Sequence, residues 1–369
     1  MANSDVEADR SLRASWGSLS DYREVLFGIA IIGIVVFHLY ESTMRDTLVH
    51  SALGLFARFS AGVDAFLFLS SMGLYFAFSK NSNLGRFYKR RVLRILPTFL
   101  VVAIPFYALQ DFVQFEDGSR FLPDLFNISF LTEGYRQFWY IYAIIIFYLF
   151  YPLLHRFIDG SDRSFMRMCV VIGCDVAITV ALGVFNEGFL SNTELMLTRF
   201  PAFVAGIYAG KLVKMRAPMR GRYVLCLVAV ALLLWCMSLT PLTQFGGANL
   251  ARRYFYTCAA VLLCMLVPVI LKAFECVADQ KALAFFGRIS LEMYIVNVAS
   301  RSLVVWYAGE YFFSGRSNWI QVEYCIVEVL LTIVGAYVLH KTMQPVNSWL
   351  MRLADKSDKK PQVGPGSAR

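Results

Sequence analysis

The chain has 369 residues, of which 58% are hydrophobic and only 17% charged, with a formal net charge of +9. A soluble domain is about 45–50% apolar, so an ordinary soluble globule is excluded. The apolar residues form continuous runs near the ~20 residues that cross a hydrocarbon core, without the alternation of a β-barrel. The expected class is an all-α, polytopic integral membrane bundle of about ten helices.

In chain order, residues 1–21 are polar and mixed in charge and read as a cytoplasmic segment. The first apolar run lacks a small-residue cleavage site and reads as a retained span. Predicted spans are 25–42, 54–78, 92–110, 137–154, 168–185, 195–212, 223–240, 254–271, 289–307 and 320–340. The membrane domain is then 22–345, and 346–369 is a cytoplasmic tail ending KSDKKPQVGPGSAR, expected to be disordered. Ten spans put both termini on one side. The segments of that side hold 26 of the 35 Lys and Arg, and the opposite loops hold six. The positive-inside rule therefore places both termini in the cytoplasm of an inner or plasma membrane. The same asymmetry accounts for the basic charge, so no nucleic-acid partner is implied. Eight cysteines lie in or beside spans with no CxxC spacing, which predicts neither a disulfide framework nor a metal site.

Ionisable residues inside spans are functional candidates. In the first span, YREVLFGIAIIGIVVFHLYES, His38 lies about 20 Å from the start at 1.5 Å per residue. Asp64, in the second span, is expected about 15 Å from the opposite face, within about one turn of the histidine in depth. A carboxylate there would orient the ring and raise its basicity; the plainer reading is a structural pair joining two helices. Asp175, Arg199, Glu292, Arg301, Glu323 and Glu328 complete the set; the plainer reading is an interfacial place for Arg301 and Glu323 and a helix–helix contact for Asp175 and Glu328. Arg252 and Arg253 read as an interfacial anchor at an outer helix start.

Before the third span, SKNSNLGRFYKRRVLRILP carries Lys80, Arg86, Lys89, Arg90, Arg91 and Arg94 and no acid. Arg90 and Arg94, at i and i+4, share a helical face, with Arg91 beside them. Guanidinium groups bind phosphate bidentately, so the cluster suits a polyphosphorylated cytoplasmic ligand. A topology signal against anionic lipid is the alternative.

An ordered set of motifs spans residues 22 to 340: GIAIIGIVVFH at 28–38, GVDAFLFLSSMGLYF at 62–76, FYKRRVLRILP at 87–97, FWYI at 138–141, RFPAFVAGIYAGK at 199–211 and SLEMYIV at 290–296. By these the sequence resembles membrane acyltransferase family 3, bacterial transmembrane O-acyltransferases that modify cell-surface glycans. The resemblance implies acetyl-CoA or another acyl-CoA as donor, bound from the cytoplasm, and an extracytoplasmic glycan or glycoside hydroxyl as acceptor. It implies His38 as the catalytic residue and Arg90, Arg91 and Arg94 as ligands of the CoA phosphates. With it, His38 is expected to act as general base, supported by Asp64. Trp139, Tyr140 or Ser70 would stabilise the oxyanion, and Arg199 and Glu292 would line the substrate path.

Two positions depart from the family pattern. Phe27 stands where an arginine is usual, leaving Arg23, one turn earlier, as the nearby basic group for the donor. Asn297 stands where a histidine often follows the SLE-x-Y motif. The competing readings are a secondary transporter or flippase of a surface-glycan precursor, although no inverted repeat is visible, and an inactive relative.

Overall fold

The computed structural model describes residues 15–57, 62–219, 221–240, 249–274, 280–314 and 317–357. Among them the only β pairing is an isolated bridge between Ser15 and Pro218; the rest is helix and connection. The chain opens with α1 (Arg23–Ser42), α2 (Leu48–Ala57), α3 (Gly62–Lys80) and α4 (Leu84–Ala108). It continues with α5 (Trp139–Asp159), α6 (Ser164–Phe185), α7 (Glu187–Leu197), α8 (Phe200–Lys214) and α9 (Gly221–Leu239). It ends with α10 (Leu250–Phe274), α11 (Gln280–Arg288), α12 (Ser290–Phe313) and α13 (Asn318–Ser357). Short helical turns at Gly118–Arg120, Phe121–Leu125 and Ile128–Thr132 fill the connection between α4 and α5.

Among the described residues, eight helices are long and apolar enough to cross a membrane, or nine if α11 and α12, bent by 69°, count as one span. The difference from the expected ten lies at 195–212. There the chain breaks at Thr198 and Arg199 between α7 and α8, and α8 has only 15 residues, about 22 Å against a core of about 30 Å. Pro201 in its first turn needs no N–H partner and so starts the helix there. Despite its length α8 is central: Phe203, Val204 and Ile207 are fully buried.

Small residues let the inner helices touch backbone to backbone, as membrane packing favours. A side chain at Gly28 would strike the Leu283 carbonyl, and one at Gly287 the Glu24 carbonyl, so α11 lies directly on α1. Gly62 abuts Ile34 and the Ala30 carbonyl, and Gly206 abuts the Phe68 carbonyl, which clamps α3 between α1 and α8. Gly54 likewise faces Tyr40. The Gly54–Tyr40 and Gly62–Ile34 contacts fix the antiparallel register of the second apolar run against α1.

The C-terminal end differs from expectation. Residues 346–357 were expected to begin a disordered tail, yet α13 runs 40 residues to Ser357; 358–369 lie outside the described residues. Its last turns are held against the start of α4. Asp355 accepts from Arg90 at 2.7 and 3.0 Å and from Arg86 at 3.2 Å, and Lys89 donates to the Ala354 carbonyl at 3.3 Å.

Candidate functional site

Where α1, α3, α4, α5, α11 and α12 meet, they enclose a cavity of about 400 Å³. Its basic end carries Arg23 from α1, Arg91 and Arg94 from α4, and Arg288 from α11. Further in, the wall is Phe27, Phe66, Ser70, Tyr140 and Tyr148, and it reaches Ile34 and Tyr294. Arg288 pairs with Glu24 at the rim, at 3.0 Å. Arg23, Arg91 and Arg94 have no carboxylate within ion-pair distance among the described residues, and the Nε atoms of Arg23 and Arg91 are buried without a partner. Three guanidinium groups turned into one cavity, whose lining carboxylate, Glu24, is paired with Arg288, make a site for an anion of several charges.

Each reaches the cavity for a local reason. Arg23 begins α1; its guanidinium lies 4.9 Å from the centre of the Phe27 ring, in a notch opened by Gly73, where a Cβ would come within 2.5 Å of it. Arg91 and Arg94 are i and i+3 on α4, adjacent on one face. Arg90, expected with them, turns the other way onto Asp355 and is not a lining residue. That face of α4 is taken by the end of α13, which the sequence expectation had left as unstructured tail.

His38 lies one helical turn beyond Ile34 on α1, and Asn297 one turn beyond Tyr294 on α12. The two side chains meet there, with 2.6 Å between His38 Nδ1 and Asn297 Oδ1. The Asn297 amide donates to Glu328 Oε1 at 3.2 Å and to Thr332 Oγ1 at 3.0 Å, and the Ser300 hydroxyl donates to Glu328 Oε1 at 2.6 Å. Glu328 and Thr332 are i and i+4 on α13, so a single face of that helix holds the amide.

The expected His38–Asp64 pair does not form. Asp64 accepts from Thr257 of α10 at 2.9 Å and faces Arg199 Nε at 3.9 Å. The register explains it: with Gly54 opposite Tyr40, Asp64 falls level with about residue 30, some 12 Å from His38 along the helix. Arg199, at the break before α8, also stacks 5.3 Å from the centre of the Trp139 ring. Asp64, Arg199, Trp139 and Thr257 thus form a second polar group, separate from the histidine. Tyr140 lines the cavity; its helix is preceded by the N-cap Phe138, buried and held at φ 50°, in the left-handed region. Glu292 is not a lining residue and bonds His340 at 2.9 Å.

Arg288, Tyr148 and Tyr294 were not among the expected site residues, and Glu328 was a functional candidate whose plainer reading was a helix contact. The signal for Glu328 was its charge in an apolar run. The signal for Asn297 was its departure from the family pattern.

A family model described as an acyltransferase domain matches residues 24–341 of the chain. No curated protein and no solved structure gives a match.

Proposed function

The chain belongs to the acyltransferase family whose domain covers residues 24–341, and from that premise we propose that it transfers an acyl group, most simply acetyl, from cytoplasmic acyl-CoA to a hydroxyl of an extracytoplasmic carbohydrate, with His38 as general base. The observation that carries this reading is the arginine-lined cavity whose inner end lies one turn from His38. A phosphorylated donor entering beside Arg23, Arg91 and Arg94 has its phosphates where three cations lack partners. Arg23 and His38 are fifteen residues apart on α1, about 22 Å along the axis, the reach of an extended pantetheine arm.

The chemistry follows from the ring's free nitrogen. His38 Nε2 takes the proton of the acceptor hydroxyl as its oxygen attacks the thioester carbonyl. A carbon–oxygen bond forms, the carbon–sulfur bond breaks, and the CoA thiolate leaves. The imidazolium returns its proton to that thiolate, which restores the neutral ring. Tyr140 and Ser70 line the route and supply hydroxyl donors for the oxyanion. Arg199 and Trp139, on the second polar group, sit nearer the α1 N-terminal end than His38 does. In this reading the end of the bundle carrying the α1 N-terminus faces the cytoplasm.

The test is binding of CoA to the purified protein in detergent, measured by calorimetry. Wild type should bind, and Arg91→Ala and Arg94→Ala should each weaken binding by about tenfold, as loss of a charge-assisted phosphate contact does. No binding by wild type, or equal binding by all three, would contradict the donor assignment and favour a transporter.

A further inference from the structure

Glu328 stands outside the reaction as described, yet it is a carboxylate 1% exposed between helices of a membrane bundle. Such a group is expensive to hold and marks function more often than packing. Its Oε1 takes two hydrogen bonds, from Ser300 and Asn297, while its Oε2 is buried without a partner. No Lys or Arg pairs with it within ion-pair distance among the described residues. As a mere tie between α12 and α13 it would be poorly built.

Its effect on Asn297 is specific. An amide offers two N–H donors on one side and an oxygen acceptor on the other. Glu328 Oε1 and Thr332 Oγ1 both take the donor side. The amide oxygen must then face His38 Nδ1, at 2.6 Å. An amide oxygen only accepts, so Nδ1 carries the hydrogen and the lone pair resides on Nε2.

We propose that Glu328 and Asn297 are positioning residues for His38: Glu328 sets the orientation of the Asn297 amide, and the amide sets the tautomer and the direction of the ring. This deepens the reading of His38 as the base and rests on it. The support expected from Asp64 comes instead from the far end of the chain. If the Asn297 amide turned over, its N–H would meet Nδ1, the hydrogen would move to Nε2, and the ring could no longer accept the substrate proton.

The test uses membrane vesicles carrying the full chain and endogenous acceptors, with labelled acetyl-CoA as probe and rates normalised to protein in the membrane. Glu328→Gln keeps shape and hydrogen-bonding capacity but can donate to Asn297 and turn its amide. It should lower kcat at least tenfold and leave the acetyl-CoA KM within twofold. The double variant Asn297→Asp/Glu328→Gln exchanges acid and amide, and again gives Nδ1–H a pure acceptor. It should recover to within a few-fold of wild type. Wild-type kcat in Glu328→Gln, or a double variant no better than the single, would overturn the proposal, since a structural tie predicts no such recovery. Should Glu328→Gln fail to accumulate, the double variant decides alone. Turnover within about tenfold of wild type supports the relay, and a loss as deep as that of His38→Ala refutes it. His38→Ala separates the two levels. If it turns over normally, the base assignment fails and takes the relay with it; if it is inactive while Glu328→Gln is normal, only the relay fails.

Discussion

At the scale of residues, the division between neighbouring arginines is the sharpest feature. Arg91 and Arg94 face the cavity, whereas Arg90 is bound to Asp355. Replacing Arg94 by Ala should therefore raise the acetyl-CoA KM about tenfold with little change in kcat. Arg90→Ala should leave that KM within twofold, because an exposed pair with Asp355 contributes little; steady-state kinetics on both variants checks this. The spacing of Arg90, Arg91 and Arg94 did not reveal which face turns inward, because that depends on where the end of α13 lies, some 260 residues later in the chain. The place of His38 along α1 was legible from the apolar run. Its partner was not: a residue's depth depends on the register between helices, which Gly54–Tyr40 and Gly62–Ile34 set through contacts no local pattern encodes. Asn297 stood out in the sequence only as something missing, yet its amide is the group the histidine touches.

At the scale of elements, site geometry depends on helices that approach without side chains between them. Gly28 and Gly287 seat α11 on α1 through the Leu283 and Glu24 carbonyls. Backbone cannot swing aside as a flexible side chain can, so Gly28→Ala must push α11 away, taking Arg288 and Ser290 from the cavity wall. Overpacking of this kind costs about 1–3 kcal/mol. The variant should unfold at lower temperature in detergent and bind CoA more weakly, as thermal denaturation and calorimetry would show; wild-type values for both would mean that this crossing does not shape the site. Long uniform helices such as α1, α5 and α6 were legible from their apolar runs. The break at Thr198 and Arg199 was not, because the apolar residues of α8 continue the pattern while Pro201 and Arg199 set the boundary. The length of α13 was hidden for the opposite reason: its last turns are polar and look like tail, and they are held by Arg86, Lys89 and Arg90.

At the scale of the whole molecule, the bundle has a basic mouth at the α1 N-terminal end, a half-buried histidine beyond its inner end, and a second polar group around Arg199 and Asp64. Composition sufficed for the all-helical membrane class, and the ordered motifs for the family. How five of the six motifs converge on one cavity, with RFPAFVAGIYAGK contributing no lining residue, follows from packing. If donor and acceptor meet at His38 from opposite ends, turnover has a direction. Acetyl-CoA does not cross membranes, so inside-out vesicles should consume it and sealed right-side-out vesicles should not; equal rates in both would show that the donor does not enter from the cytoplasmic end.

The most direct measurement compares wild type with His38→Ala in inside-out membrane vesicles, following labelled acetyl transfer from acetyl-CoA to the endogenous acceptors at matched protein levels. A positioned general base contributes about 10²–10⁴ in rate, so His38→Ala should lose at least about a hundredfold. Transfer by His38→Ala at close to the wild-type rate would contradict the assignment of His38 as the base.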